Sequence, residues 1–174
     1  NKEFSTSGLF GHYNPAAGTI YTYQSSGDGT LFHELAHHYI RIVYGDAIPF
    51  WFDEGLASYF EKRVGGKFGC TNWRLPALKK ALKNAAYIPL EDLLGGVTSD
   101  KSFYLSEVRH FFVYLDHLGV LERFLLDLKG AEDFSDKSRI EKLTGKNLIT
   151  LDADFRDRIA SWEKNTYVGG GQAK

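Results

Sequence analysis

The chain is poor in sulfur: it has no methionine, and Cys70 is the single cysteine among 174 residues. An internal disulfide is therefore impossible, and cysteine usage says nothing about redox compartment. Long apolar runs are also missing. No stretch reaches the roughly eighteen consecutive apolar residues of a membrane-spanning helix. Charge of one sign is lacking too: 21 Lys and Arg against 22 Asp and Glu leave a net −1. No basic stripe offers itself to a nucleic-acid backbone. Internal repeats and domain linkers are absent.

What remains is ordinary for a soluble globular chain, 43% hydrophobic and 25% charged. The length suits one domain with a proper core and is short for two. Residues 1–167 are read as that domain and 168–174, Val-Gly-Gly-Gly-Gln-Ala-Lys, as a flexible tail. The chain opens on Asn1 without a signal-peptide pattern, as expected of a processed product or an excised domain. The composition fixes no compartment; an extracellular or cell-envelope setting is the working expectation.

The most informative stretch is His33-Glu34-Leu35-Ala36-His37, inside an apolar run from Thr30 to Tyr44. Residues four apart share one helix face, so His33 and His37 can offer two imidazole nitrogens to one ion. Glu34 lies at the rim of that face. This is the H-E-x-x-H pattern, two metal ligands plus a carboxylate that takes a proton from metal-bound water. Leu31, Leu35 and Ile42 line one side of the helix, and Phe32, Ala36, Tyr39 and Val43 another, so the helix reads as mostly buried. Burying unpaired imidazoles and a carboxylate costs roughly 2–7 kcal/mol per group, a cost that a bound cation removes.

A third ligand is expected from the next segment. Gly45 and Pro49 end the first helix, and residues 49–61 read as a second, apolar nearly all round. Glu54 is embedded there, where an ionised carboxylate needs a partner. Seven residues separate His37 from Tyr44 and five separate Pro49 from Glu54, roughly 10 Å and 7.5 Å of helix. Folding back through a short turn brings these groups to similar depth. Two His and one Glu leave one position open, the catalytic rather than the structural pattern of zinc. Asp53 reads as an acid favoured by the helix N-terminus, and Cys70, with no paired spacing, is not expected to ligate metal.

Elsewhere, residues 8–13 and 19–24 flank the Asn14-Pro15-Ala16-Ala17-Gly18 turn signal and predict a β-hairpin. Asp28 or Thr30 is the expected N-cap of the metal helix. Later helices are marked by Leu75, Leu78 and Leu82 with Pro76 in the first turn, by Leu90–Leu94, and by Tyr104, Val108, Phe111 and Leu115. Further helices follow at Leu121–Leu128, around Ile140 and Leu143, and over Leu151–Trp162 with Thr150 as expected cap.

H-E-L-A-H followed by W-F-D-E-G-L-A-S-Y-F resembles the gluzincin metallopeptidases. The W-x-x-E-G-x-A-x-Y form is closer to aminopeptidase N and the small peptidase MA-like domains than to thermolysin. The resemblance implies zinc held by His33, His37 and Glu54, with Glu34 as general base. It also implies an α+β fold: a small antiparallel hairpin packed on the metal helix, then a mostly helical remainder. The strand at 19–24 is, by resemblance, the edge along which an extended peptide or protein substrate lies. Three departures stand out. Sixteen residues between His37 and Glu54 are slightly fewer than in the aminopeptidases, and Ser58 stands where thermolysin has a supporting Asp. The Gly-Ala-Met-Glu-Asn exopeptidase motif is absent.

The expected activity is zinc-dependent peptide hydrolysis, with no nucleic-acid partner. Tyr104, at the inward start of its helix, is the candidate oxyanion donor by resemblance; a core tyrosine is the plainer reading. His12, His38, Arg109 and His110 are weaker candidates, each better suited to a solvated or structural role. Two other classes remain open: an inactive binding module of this fold, and a zinc hydrolase acting on a non-peptide ester or epoxide. The intact Glu34 argues against the first, because holding zinc does not require it.

Overall fold

The computed structural model describes residues 11–98 and 101–171. Among them the chain is α-rich with one small two-stranded antiparallel sheet, compatible with α+β. The first strand, β1, is Gly11–Asn14 and the second, β2, is Thr19–Thr22, paired from Gly11↔Thr22 to Asn14↔Thr19. Asn14 accepts from the Ala17 amide and Gly18 adopts a positive φ, which closes the turn between them. The expected strands ran over 8–13 and 19–24. Residues 8–10 lie outside the described residues, as do 1–7 and 172–174, and a 3-10 turn at Gln24–Ser26 shortens β2.

Helix α1 spans Gly27–Tyr44 and stops at Gly45. Its N-cap position is Ser26 rather than Asp28 or Thr30, and the Thr30 hydroxyl donates back to the Ser26 carbonyl. The expectation that α1 is mostly buried holds for only part of its circumference. Glu34, Ala36, His37 and Ile40 are buried, whereas Leu31, Tyr39, Ile42 and Val43 are exposed. Helix α2, Phe50–Tyr59, covers one side of α1 and the hairpin covers another. Among the described residues no element covers the third.

Helices α3 (Leu75–Lys83), α4 (Leu90–Leu94) and α5 (Lys101–His117) follow. Then come α6 (Leu121–Leu128), α7 (Ser138–Thr144) and α8 (Leu148–Ser161). The N-cap of α8 is Asn147, whose side chain accepts from the Thr150 amide; Thr150 is already inside the helix. Helix α5 is the spine. Val108, Phe111, Phe112 and Leu115 are fully buried on it, and α2, α3, α6 and α8 all pack against it.

Gly55 sets the distance between α2 and α5. A Cβ there would stand 2.6 Å from the Phe112 ring and 3.0 Å from the Val108 carbonyl oxygen, so only glycine lets the helices approach this closely. The contact seats Glu54, the neighbouring residue, at the depth of α1. The described part of the expected loose tail is tied down. The Val168 and Gly169 amides donate to the Gly69 carbonyl, and Gly170 and Gly171 donate to Asp116. Glycine composition signals freedom in an isolated chain, but here it permits close backbone packing: a Cβ on Gly169 would run into the Asp116 carboxylate.

Candidate metal centre

The i, i+4 spacing on α1 sets the two imidazoles together, with His33 Nε2 and His37 Nε2 3.0 Å apart. From α2, Glu54 approaches both, one carboxylate oxygen 3.7 Å from His33 Nε2 and the other 3.8 Å from His37 Nε2. The ligating atoms of all three lie within 4.8 Å of one another.

The outward nitrogens decide what the inner ones present. His37 Nδ1 donates to Asp53 Oδ1 at 2.7 Å, and Arg41 donates to the other Asp53 oxygen at 3.2 Å. His33 Nδ1 is 3.2 Å from Glu61 Oε1, within ion-pair distance though off the line of a good hydrogen bond. A carboxylate only accepts, so His37 Nδ1 donates to Asp53, and the Glu61 charge favours a proton on His33 Nδ1 as well; that assignment turns both Nε2 lone pairs inward. Two lone pairs and a carboxylate so close together repel unless a positive charge lies among them, either a proton or a metal cation. Imidazole nitrogens on a tetrahedral zinc stand roughly 3.3 Å apart, given Zn–N of about 2.0–2.1 Å. The donor set and its spacing fit such an ion.

Without a cation, the surrounding carboxylates favour a proton in its place. Burial alone would lower the pKa of the His37 imidazole; the hydrogen bond and charge of Asp53, with Glu54 and Glu34, outweigh it and leave the pKa raised. Burial would likewise raise the Glu61 carboxyl, but the His33 ring beside it and the hydrogen bonds and charge of Arg74 hold it at about 2.

Glu34 is buried on α1 and lines a cleft of about 870 Å³ together with His33, His37 and Glu54. Gly11 of β1 packs directly on it: a Cβ there would come 3.2 Å from Glu34 Oε1 and 2.5 Å from the Thr30 methyl. The strand along the cleft is β1, through Gly11, His12 and Tyr13, and not the segment 19–24 expected from sequence. Tyr13 and Gly11 share a sheet face that meets α1, which leaves β2 farther from the metal face.

The other candidates divide. Tyr104 is buried behind Glu54, stacked on Phe50 at 5.8 Å, and does not line the cleft. Its hydroxyl has no hydrogen-bond partner among the described residues. Burial, then the charges of Glu54 and Glu107, push its phenol up to about 12, so it keeps its proton. His12 is an exposed residue at the rim, and His38 Nδ1 lies 2.9 Å from the Tyr13 hydroxyl. Arg109 and His110 are fully buried; they donate to the Cys70 and Ser106 carbonyls. Cys70 is buried away from the cleft, its thiol donating to Lys67 O.

Sequence reasoning missed Asp53 and Glu61 as partners of the histidines. The signal for Glu61 was present: it lies seven residues, two helical turns, after Glu54 and so on the same face. Its carboxylate stands beside His33 Nδ1, whereas the buried Ser58 hydroxyl has no partner among the described residues. No protein-family model, curated protein or solved structure matches the chain, so the chemistry of the site rests on its own geometry.

Proposed function

We propose that this protein is a zinc-dependent peptide hydrolase of gluzincin type, with His33, His37 and Glu54 as metal ligands and Glu34 as general base. The observation that carries the reading is the convergence of the two imidazole Nε2 atoms, 3.0 Å apart, with the Glu54 carboxylate, each ring having a second carboxylate at its Nδ1. When bound, zinc acts as a Lewis acid that acidifies water and polarises a carbonyl. Every other part of the chemistry falls to side chains. Glu34 takes the proton of the attacking water and returns it to the leaving amine. Asp53 and Glu61 keep Nε2 of both histidines free for the metal. The β1 strand lies along the cleft as a backbone edge for an extended peptide. Tyr104 is the proposed oxyanion donor: its hydroxyl is protonated and has no partner among the described residues, and its side chain must turn toward the cleft to reach substrate.

The test pairs elemental analysis with a fluorogenic peptide library, with and without chelator. One zinc per chain is expected, lost in a His33→Ala/His37→Ala double variant, with cleavage that chelator stops and zinc restores. Glu34→Gln should retain zinc and lose at least about 10²-fold in turnover. Zinc content no higher than in the double variant ends the reading. Zinc binding without cleavage of any peptide favours the binding-module or non-peptide alternatives.

A further inference from the structure

We infer that Glu61 is a positioning residue for His33 and that a C-terminal strap, residues 163–171, holds the bracket that aims it. The inference rests on the metal reading above and extends it to the other end of the chain. Glu61 stands just past α2, and its two oxygens are taken from three sides. Oε1 meets His33 Nδ1 at 3.2 Å and Arg74 at 2.9 Å; Oε2 accepts from Asn72 Nδ2 at 3.0 Å and Arg74 Nε at 3.2 Å. Arginine grips two oxygens with a planar fork, which fixes direction as well as charge. The Asn72 side-chain oxygen in turn accepts from the Arg74 amide at 2.9 Å, so the two residues form one rigid bracket.

The bracket opens α3: the Asn72 carbonyl accepts from the Leu75 amide, and the Arg74 carbonyl from the Ala77 and Leu78 amides. Those bonds hold its C-terminal side only. The strap holds the side that precedes it. The Thr71 amide donates to the Thr166 carbonyl at 2.9 Å, and the Thr166 amide donates to the Thr71 hydroxyl at 3.0 Å. The same hydroxyl donates to the Glu163 carbonyl. One residue earlier, Cys70 bridges Tyr167, and the Gly69 carbonyl takes two strap amides. Thr71 is fully buried and Asn72 nearly so, which leaves the bracket no room to shift unless the strap moves. Loosening the strap therefore loosens Glu61, and His33 loses the carboxylate whose charge favours a proton on its Nδ1.

Two measurements test this on the full chain. The first is zinc affinity by competition with a chromophoric chelator, read beside apo-protein melting and the ¹⁵N shifts of the His33 ring. Glu61→Gln should weaken zinc about 10- to 100-fold and give His33 a mixture of tautomers. Thr71→Val should weaken it about 2- to 30-fold, the range of coupling carried through packed networks, while Thr71→Ser restores wild-type affinity. The second needs no variant. Coupling between sites is reciprocal, so zinc must slow hydrogen exchange at the Thr166 and Val168 amides. A wild type that binds no zinc defeats the metal reading itself. A wild type that binds zinc overturns the inference alone if Glu61→Gln changes only the melting temperature, or if strap amides exchange equally fast with and without metal.

Discussion

Replacing Glu107 with glutamine should change how stability depends on pH, and in a direction opposite to the usual carboxylate. Glu107 is fully buried on α5; one oxygen accepts from the Ile88 amide at 2.7 Å, and the other has no partner among the described residues. Burial first, with the charge of Asp152 adding and the Ile88 amide opposing, pushes its carboxyl from 4.5 up to about 8. Between those values the folded chain holds a proton that the unfolded chain has released. Stability contributed by the neutral acid is therefore complete below pH 4.5 and falls as pH rises toward 8, at about 1.4 kcal/mol per pH unit. The full loss is on the order of 5 kcal/mol, large against the 5–15 kcal/mol (roughly) of a whole domain. Glutamine keeps an acceptor for Ile88 and never ionises. Glu107→Gln should match wild type near pH 4.5 and exceed it by several kcal/mol above pH 8.

His110 sharpens the test. Burial, then the charge of Arg109, lowers its imidazole from 6.5 to about 3, so its contribution is present above 6.5 and lost as pH falls toward 3. From pH 4.5 to 6.5 the two groups oppose each other and wild-type stability should be nearly flat on their account. The variant should instead lose stability on acidification through that interval. Urea unfolding at constant ionic strength from pH 4 to 9 gives both curves. Parallel curves would refute the burial argument, because they mean that Glu107 ionises alike in folded and unfolded chains.

Three further outcomes are expected. Asp53→Asn should weaken zinc about 10- to 100-fold by relaxing the His37 tautomer, read by chelator competition. Gly55→Ala must push α2 from α5 and should cost about 1–3 kcal/mol, with zinc affinity falling as Glu54 shifts; unchanged melting would mean that Phe112 yields freely. Tyr104→Phe removes a hydroxyl without a partner among the described residues, so stability should not drop. If Tyr104 serves the oxyanion, kcat falls about 10²–10³ with little change in KM, and an unchanged kcat removes it from the mechanism.

The convergence of His33, His37 and Glu54 was readable because local rules govern it: i, i+4 on one helix, a short turn, and an acid in an apolar run. The hairpin followed from its turn residues in the same way. What was not readable depends on partners far along the chain. Spacing from Glu54 sets Glu61 on the right face, but Arg74 and Asn72 aim its carboxylate at His33, and no periodicity announces those partners. The exposure of Leu31, Tyr39 and Ile42 was misjudged because an apolar stripe shows what would be stable if covered, not whether a neighbour covers it. Residues 168–171 of the expected tail are held because Gly69 and Asp116 provide hydrogen bonds that composition, which describes an isolated segment, does not reveal.

The strap also bears on the order in which the molecule assembles. His33, His37 and Glu54 come from two adjacent helices, so their encounter closes only a short loop. The contacts of Thr71 with Glu163 and Thr166 span 92 and 95 residues. Long closures cost more chain entropy and are rewarded late. His33, His37 and Glu54 should therefore meet early in folding, with φ-values for α1 and α2 above those of the strap. The carboxylate that fixes the first histidine would be aimed only in the final step, so metal captured during synthesis would be held loosely until the last residues of the strap settle.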